Sequence, residues 1–192
     1  MSNRSIHTLL KNWDEECPLT REEAVEVLNL PEEEMDSLME CAYALRTKYK
    51  GKKVSVQLLT NVRSGNCTQN CAYCAQSKDS QAEIEKYKRV SDEKLYGDND
   101  LVDEKHLARH CIGLSGIGFS DEEIEDLADR IREMKKKDTQ ICCSIGFLTE
   151  KQARILKDAG LDRINHNLNS SRSFYPEICT THTYDQRVNN IK

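Results

Sequence analysis

Three cysteines stand within eight residues, in the segment Cys67-Thr68-Gln69-Asn70-Cys71-Ala72-Tyr73-Cys74. The spacing is C-x3-C-x2-C, with an aromatic residue just before the last cysteine. Thiolates are soft ligands, and three of them on one short loop can hold three corners of a cubane iron–sulfur cluster. The fourth iron is then left open to chelate a substrate, as catalytic metal sites keep a free position. A structural cluster usually takes four cysteines. The alternative is a zinc site completed by a histidine, and His106 and His110 have an H-x3-H spacing. Zinc ligands usually come as two pairs, and Cys111 abuts this one in a segment that reads as a strand. The spacing therefore favours iron and sulfur.

The chain has nine cysteines among 192 residues. The number is odd, and Met1–His7 lacks the apolar run of a secretory signal, so a disulfide framework is a poor reading and a reducing, cytoplasmic setting a better one. The formal net charge is −5. That acidic balance argues against a protein that lives on nucleic-acid phosphates. No run of about 18 apolar residues is present, so no membrane span is expected.

The elements that must carry this loop alternate. Residues 1–51 read as a separate helical segment. Thr20 with Glu23 makes a capping box, Pro31 opens a second helix, and Met35, Leu38, Cys41, Ala42 and Leu45 form its apolar stripe up to Gly51. Residues 52–192 then read as strand and helix in turn. Strands are expected over 54–58, 110–114, 140–145 and 163–167. Ser120 with Glu123 and Thr149 with Gln152 cap the helices between the later strands, and another helix starts at Tyr184. Residues 78–108 are charged and only weakly periodic. Such alternation implies a parallel sheet with right-handed crossovers. About four units fit here, against about 250 residues for a closed eight-unit barrel. The last residues, 187–192, carry no stop signal, so the chain reads as a fragment ending within a helix.

The cysteine loop and its flanks resemble the radical S-adenosylmethionine (SAM) superfamily, and within it the biotin synthase family. Asn61-Val62-Arg63-Ser64-Gly65 and Ala75-Gln76-Ser77 flank the loop. Arg109-His110-Cys111-Ile112-Gly113, Asn165-His166-Asn167-Leu168-Asn169-Ser170, Phe174-Tyr175 and Thr180-Thr181-His182-Thr183-Tyr184 extend the likeness over roughly residues 50–192. The triple cysteine alone points only to the superfamily; the Asn-His-Asn-Leu segment specifies the branch.

The resemblance implies an α/β, TIM-barrel-like radical SAM fold, incomplete here at about four βα units, with an N-terminal helical extension. It implies that Cys67, Cys71 and Cys74 hold a 4Fe-4S cluster whose open iron binds SAM. An electron then splits SAM, and the 5′-deoxyadenosyl radical abstracts hydrogen from dethiobiotin, into which sulfur is inserted to form biotin. Cys111 and Cys142 match two ligands of a 2Fe-2S sulfur-donor cluster; the remaining ligands belong to later strands, so that ligand set is incomplete here. Asn165 is expected at the ureido ring of dethiobiotin, Asn167 at SAM, and Asn169 at the SAM ribose, where many relatives carry Asp. On a strand Asn165 and Asn167 face the same side and His166 the other. Their alternative is turn and cap chemistry. Tyr73 stacks by the cluster or adenine, or packs. Gly113-Leu114-Ser115-Gly116 lets backbone approach the SAM methionyl group. Arg109 neutralises the cluster or lies on the surface. Cys143 faces the core, as do Cys17, Cys41 and Cys179 by default. Lys135-Lys136-Lys137 ends a helix in solvent. The implied partners are dethiobiotin, an electron donor such as flavodoxin or ferredoxin, and a second copy in a homodimer, with no nucleic acid and no membrane. The alternatives are another radical SAM enzyme of the branch, an inactive truncated chain, or a zinc-stabilised module.

Overall fold

The structure is a computed structural model that describes residues 19–192. The expectations for Met1–His7 and Cys17 lie outside the described residues. The chain divides into two units after Val54. In the first, α1 (Arg21–Leu28) begins at the Thr20–Glu23 capping box, where Glu23 N donates to Thr20 Oγ1 and Thr20 N to Glu23 Oε2. A 3-10 turn (Glu32–Glu34) follows Pro31 and leads into α2 (Met35–Lys50). Gly51 stops α2 at φ 63°, a left-handed backbone that favours glycine. No residue of either helix is buried. A stripe says which face would turn inward, and the described residues of this unit form no sheet to cover it.

In the second unit four parallel strands, β1 (Gln57–Arg63), β2 (Arg109–Leu114), β3 (Ile141–Ser144) and β4 (Arg163–Asn165), pair in sequence order and do not close. The expected open sheet of four strand–helix units is therefore observed. Helices α3 (Asp92–Glu104), α4 (Asp121–Met134) and α5 (Glu150–Asp158) form the crossovers, and α6 (Tyr175–Ile178) and α7 (Tyr184–Ile191) follow β4. Side chains alternate across a strand. One face turns to the helices and makes the core: Val62, Leu95, Ile112, Ile124, Leu127, Ile131, Ile141, Cys143 and Leu156. Each large apolar side chain buried there contributes about 1.5–3 kcal/mol.

Two strands differ from expectation. β1 starts and ends later than 54–58. Val54 and Val56 alternate but are exposed, while Thr60 and Val62 are buried. Thr60 disguised the strand because its hydroxyl is satisfied inside: it donates to Asp98 Oδ2 at 2.6 Å and lies 2.8 Å from His110 Nε2. β4 ends at Asn165, two residues early. The uncertain stretch holds α3, capped by Ser91. Its buried face carries Asp98 and Asn99 beside Leu95 and Val102, so apolar periodicity could not reveal it.

Candidate functional site

The face of the sheet away from the helices is ordered in rows by strand register. Leu59, Cys111, Cys142 and Arg163 form one row. Asn61, Gly113, Ser144 and Asn165 form the next, towards the C-terminal ends of the strands. Rows two residues apart are about 7 Å apart. Cys111 and Cys142 are thus cross-strand neighbours on one face, while Cys143 points into the core and is fully buried. Cys111 donates its S–H to Gln57 Oε1 at 3.0 Å. Burial pushes the Cys111 thiol above its ordinary pKa, and the neighbouring Cys142 adds to it.

Beyond the second row lies an open cleft of about 210 Å³ at the C-terminal ends of the strands. Ligand sites of parallel α/β sheets form there, because loops diverge and helix N-termini converge. Cys67, Cys71, Tyr73, Cys74, Ser115, Asn165, Asn167 and Asn169 all line it. Gly113, Cys111 and Cys142 do not; they lie on the sheet face below. No disulfide joins the described cysteines. Ser115 is a clamp as well as a wall: its hydroxyl donates to Gly65 O at 2.6 Å, and its N–H to Arg63 O. That bond ties the cysteine loop to the turn after β2. Tyr73 is 57% exposed, so it is not a packed core ring. Burial raises the Tyr73 phenol above its ordinary pKa, and Cys71 beside it adds to this.

Asn165 and Asn167 reach one cleft by a different route from the expected one. β4 ends at Asn165, so the alternation that put both on a common strand face stops there. Asn167 projects from the following loop, and its C=O accepts from Arg187 Nη1 at 3.0 Å. His166, expected on the opposite side, lines the cleft too. Asn169 takes φ 68°, a left-handed turn that Asn tolerates better than most residues.

The cysteine loop is held from the far end of the chain. Asn70 Oδ1 accepts from Thr180 N, Thr181 N and Thr181 Oγ1 at 3.0–3.2 Å, and Asn70 Nδ2 donates to Thr180 Oγ1. Ala72 N donates to Ile178 O. Buried His182 donates from Nδ1 to Gln69 Oε1 at 2.8 Å, while its Nε2 accepts from Arg187 Nε at 3.1 Å. Burial and then Arg187 depress the His182 pKa to about 4, so its ring is neutral. Burial raises the Cys71 thiol to about 11, and Cys179 beside it adds to this.

Sequence reasoning did not single out Asn70, Gly146 or Arg187, and it left Cys179 and His182 as packing or flank residues. Arg187 is the one Lys or Arg among the residues lining the cleft. Gly146 is required because a Cβ there would meet Ile117 O at 2.3 Å. The usable signal was Thr183 with Gln186, a capping box that starts α7 and sends Arg187 back towards the cysteines. The zinc alternative through His110 does not assemble. His110 is fully buried on the helix side, against Thr60 and Asn99. The one Cys/His cluster close enough to share an ion, among the described residues, is Cys71, Cys179 and His182.

Comparison with known proteins identifies relatives and a fold. The biotin synthase of Geobacillus kaustophilus (strain HTA426) is 40% identical over 175 residues, which are 91% of this chain and 53% of that protein. That of Bacillus subtilis (strain 168) is 41% identical, over 91% and 52%. The chain therefore spans about half the length of the curated relatives it matches. Among solved structures, methylornithine synthase (PylB) superposes with a TM-score of 0.80 at 16% identity, covering 95% of this chain and 53% of that one. HydG, a maturase of the [FeFe]-hydrogenase, superposes with a TM-score of 0.69 at 19% identity, covering 90% and 39%. At such identities the likeness is one of fold. The Radical SAM superfamily model matches residues 61–192, and the chain belongs to that superfamily.

Proposed function

We propose that this chain is the cluster- and SAM-binding half of a biotin synthase-type enzyme that inserts sulfur into dethiobiotin. One observation carries the reading: three loop thiols and the carboxamides of Asn165, Asn167 and Asn169 line a single cleft, with a pair of thiols in the strand row below it.

The donor set fits a 4Fe-4S cluster. Cys67, Cys71 and Cys74 are thiols lining one cleft, and the described residues offer no fourth cysteine to it other than Cys179, which lies behind Cys71. Bound there with SAM, such a cluster supplies the electron that cleaves SAM reductively to a carbon radical, chemistry that no side chain can provide. The chain's own residues bind and orient. Arg187 is the cation that can take the methionyl carboxylate, since its Nη1 and Nε already fix the guanidinium against Asn167, Tyr175 and His182. The carboxamides of Asn165, Asn167 and Asn169 offer donors and acceptors to neutral polar groups, the ureido ring and the ribose. Tyr73, exposed at the rim, can stack on adenine. Cys111 and Cys142, side by side, supply two of the ligands a 2Fe-2S sulfur donor needs. A flavodoxin- or ferredoxin-type reductant, a homodimer and a cytoplasmic setting belong to the same reading. The described residues contain no helix long and apolar enough to cross a membrane.

The test is anaerobic reconstitution with iron and sulfide, then metal analysis and a SAM-cleavage assay with reductant. About four irons per chain and release of 5′-deoxyadenosine are expected, with dethiobiotin dependence tested next. Uptake of one zinc, with no cluster and SAM left intact, would overturn the reading.

A further inference from the structure

Cys179 has no task in the reading above, yet its sulfur lies 3.8 Å from that of Cys71 and the residue is 3% exposed. A buried S–H needs a partner, and its neighbours can be eliminated by counting protons and lone pairs. Asn70 Oδ1, 3.6 Å away, already accepts three hydrogen bonds, more than its two lone pairs hold comfortably. His182 Nδ1, 3.3 Å away, faces Gln69 Oε1, which can only accept. That nitrogen carries the ring's one proton and gives it to Gln69, so it is no acceptor for the Cys179 S–H. Thr181 Oγ1, at 3.5 Å, gives its own proton to Asn70 Oδ1 and accepts from Asn70 N. It keeps one lone pair, so the choice for the Cys179 proton lies between a neutral hydroxyl oxygen and the Cys71 sulfur.

Ligation decides between them. In the metal-free chain Cys71 has a proton of its own to share with Cys179. As an iron-bound thiolate it has none, it is anionic, and it becomes an acceptor. Hydrogen bonds to an ionised acceptor are roughly twice as strong as neutral ones. We propose that Cys179 donates its S–H to the Cys71 thiolate of the cluster, and that this bond raises the cluster's reduction potential. The inference rests on the reading of Cys71 as a cluster ligand. Hydrogen bonds to the sulfurs are among the settings of a cluster's potential. Cys179 is a positioning residue here. As a ligand it would occupy the open iron that SAM needs.

The full chain is reconstituted anaerobically as wild type, Cys179→Ser, Cys179→Ala and Cys179→Val. Iron content and the EPR signal of the reduced cluster come first. If the wild type takes up no cluster, the ligand reading fails and the Cys179 bond with it. With clusters present, redox titration should move the midpoint of the Ala and Val variants to more negative potential, and leave Cys179→Ser near wild type because a hydroxyl still donates. Pulsed EPR in deuterium oxide should show one exchangeable proton coupled to the cluster in wild type and Cys179→Ser, and lose it in the apolar variants. An unchanged midpoint and coupling in the Ala and Val variants would overturn the proposal. So would loss of iron from both apolar variants alone, which would make the thiol a builder of the site, not a tuner.

Discussion

Asn70 and Thr181, 111 residues apart in the chain, are joined by three hydrogen bonds: Thr181 N and Oγ1 both donate to Asn70 Oδ1, and Asn70 N donates to Thr181 Oγ1. One side chain inside the cysteine loop thus fixes that loop to the segment between α6 and α7. Asn70→Ala strips the acceptor from two backbone N–H groups and a hydroxyl. The bonds are partly exposed, so water replaces some of them, and a loss of about 1 kcal/mol in stability is expected. The larger effect should be on iron uptake, because the loop loses its anchor. Urea unfolding and iron analysis on the same preparation separate the two; full iron uptake by Asn70→Ala would show that the tether is dispensable.

Gly146 makes a prediction about loop geometry. An alanine Cβ there would fall 2.3 Å from the carbonyl oxygen of Ile117, which already accepts from Phe147 N at 2.6 Å. The obstacle is backbone, so it cannot swing aside. Gly146→Ala should cost about 1–3 kcal/mol and displace the turn after β2, which forms a wall of the cleft. A thermal melt at wild-type temperature with unaltered SAM affinity would contradict it.

Arg187 should matter for ligands with a carboxylate and little for those without. Arg187→Ala is expected to weaken SAM binding to the reconstituted chain by about 10- to 100-fold, as for a charged hydrogen bond of about 1.5–3 kcal/mol. Arg187→Lys should recover part of it, since the charge stays but the planar fork is lost. Binding of 5′-methylthioadenosine, which lacks the aminocarboxylate, should change little. Calorimetry with both ligands checks this, and an equal loss for the two would move Arg187 out of the carboxylate's reach.

His182 carries a pH dependence of defined sign. Its pKa is about 4 in the folded chain and about 6.5 in an unfolded one. Between those values the unfolded state binds a proton that the folded state refuses. Stability from this group is therefore complete above about pH 6.5 and is lost as pH falls towards about 4, at up to about 1.4 kcal/mol per pH unit. Chemical unfolding of the metal-free chain across that range should show the slope, and His182→Gln should remove its share. An identical slope in the variant would mean that His182 is not the residue responsible.

Much of this protein was written in local pattern. Capping boxes at Thr20, Ser120 and Thr149 placed three helices within a residue of their starts, because the cap and its partner lie three residues apart and need no tertiary help. The triple-cysteine spacing and the Asn-His-Asn-Leu segment announced the superfamily and the kind of chemistry, since ligands from one loop are necessarily close. What sequence could not decide was anything resting on contacts between distant segments. β1 was displaced because Thr60 is polar, and only its bonds to Asp98 and His110 make it a core residue. Asn165 and Asn167 share a cleft through a strand that ends between them, not through alternation. Cys179, an unremarked cysteine by spacing, becomes the neighbour of Cys71 only when the turn after α6 folds back on the loop. Local propensities act over three or four residues, whereas these placements arise from packing across about a hundred, where register and burial choose the partners.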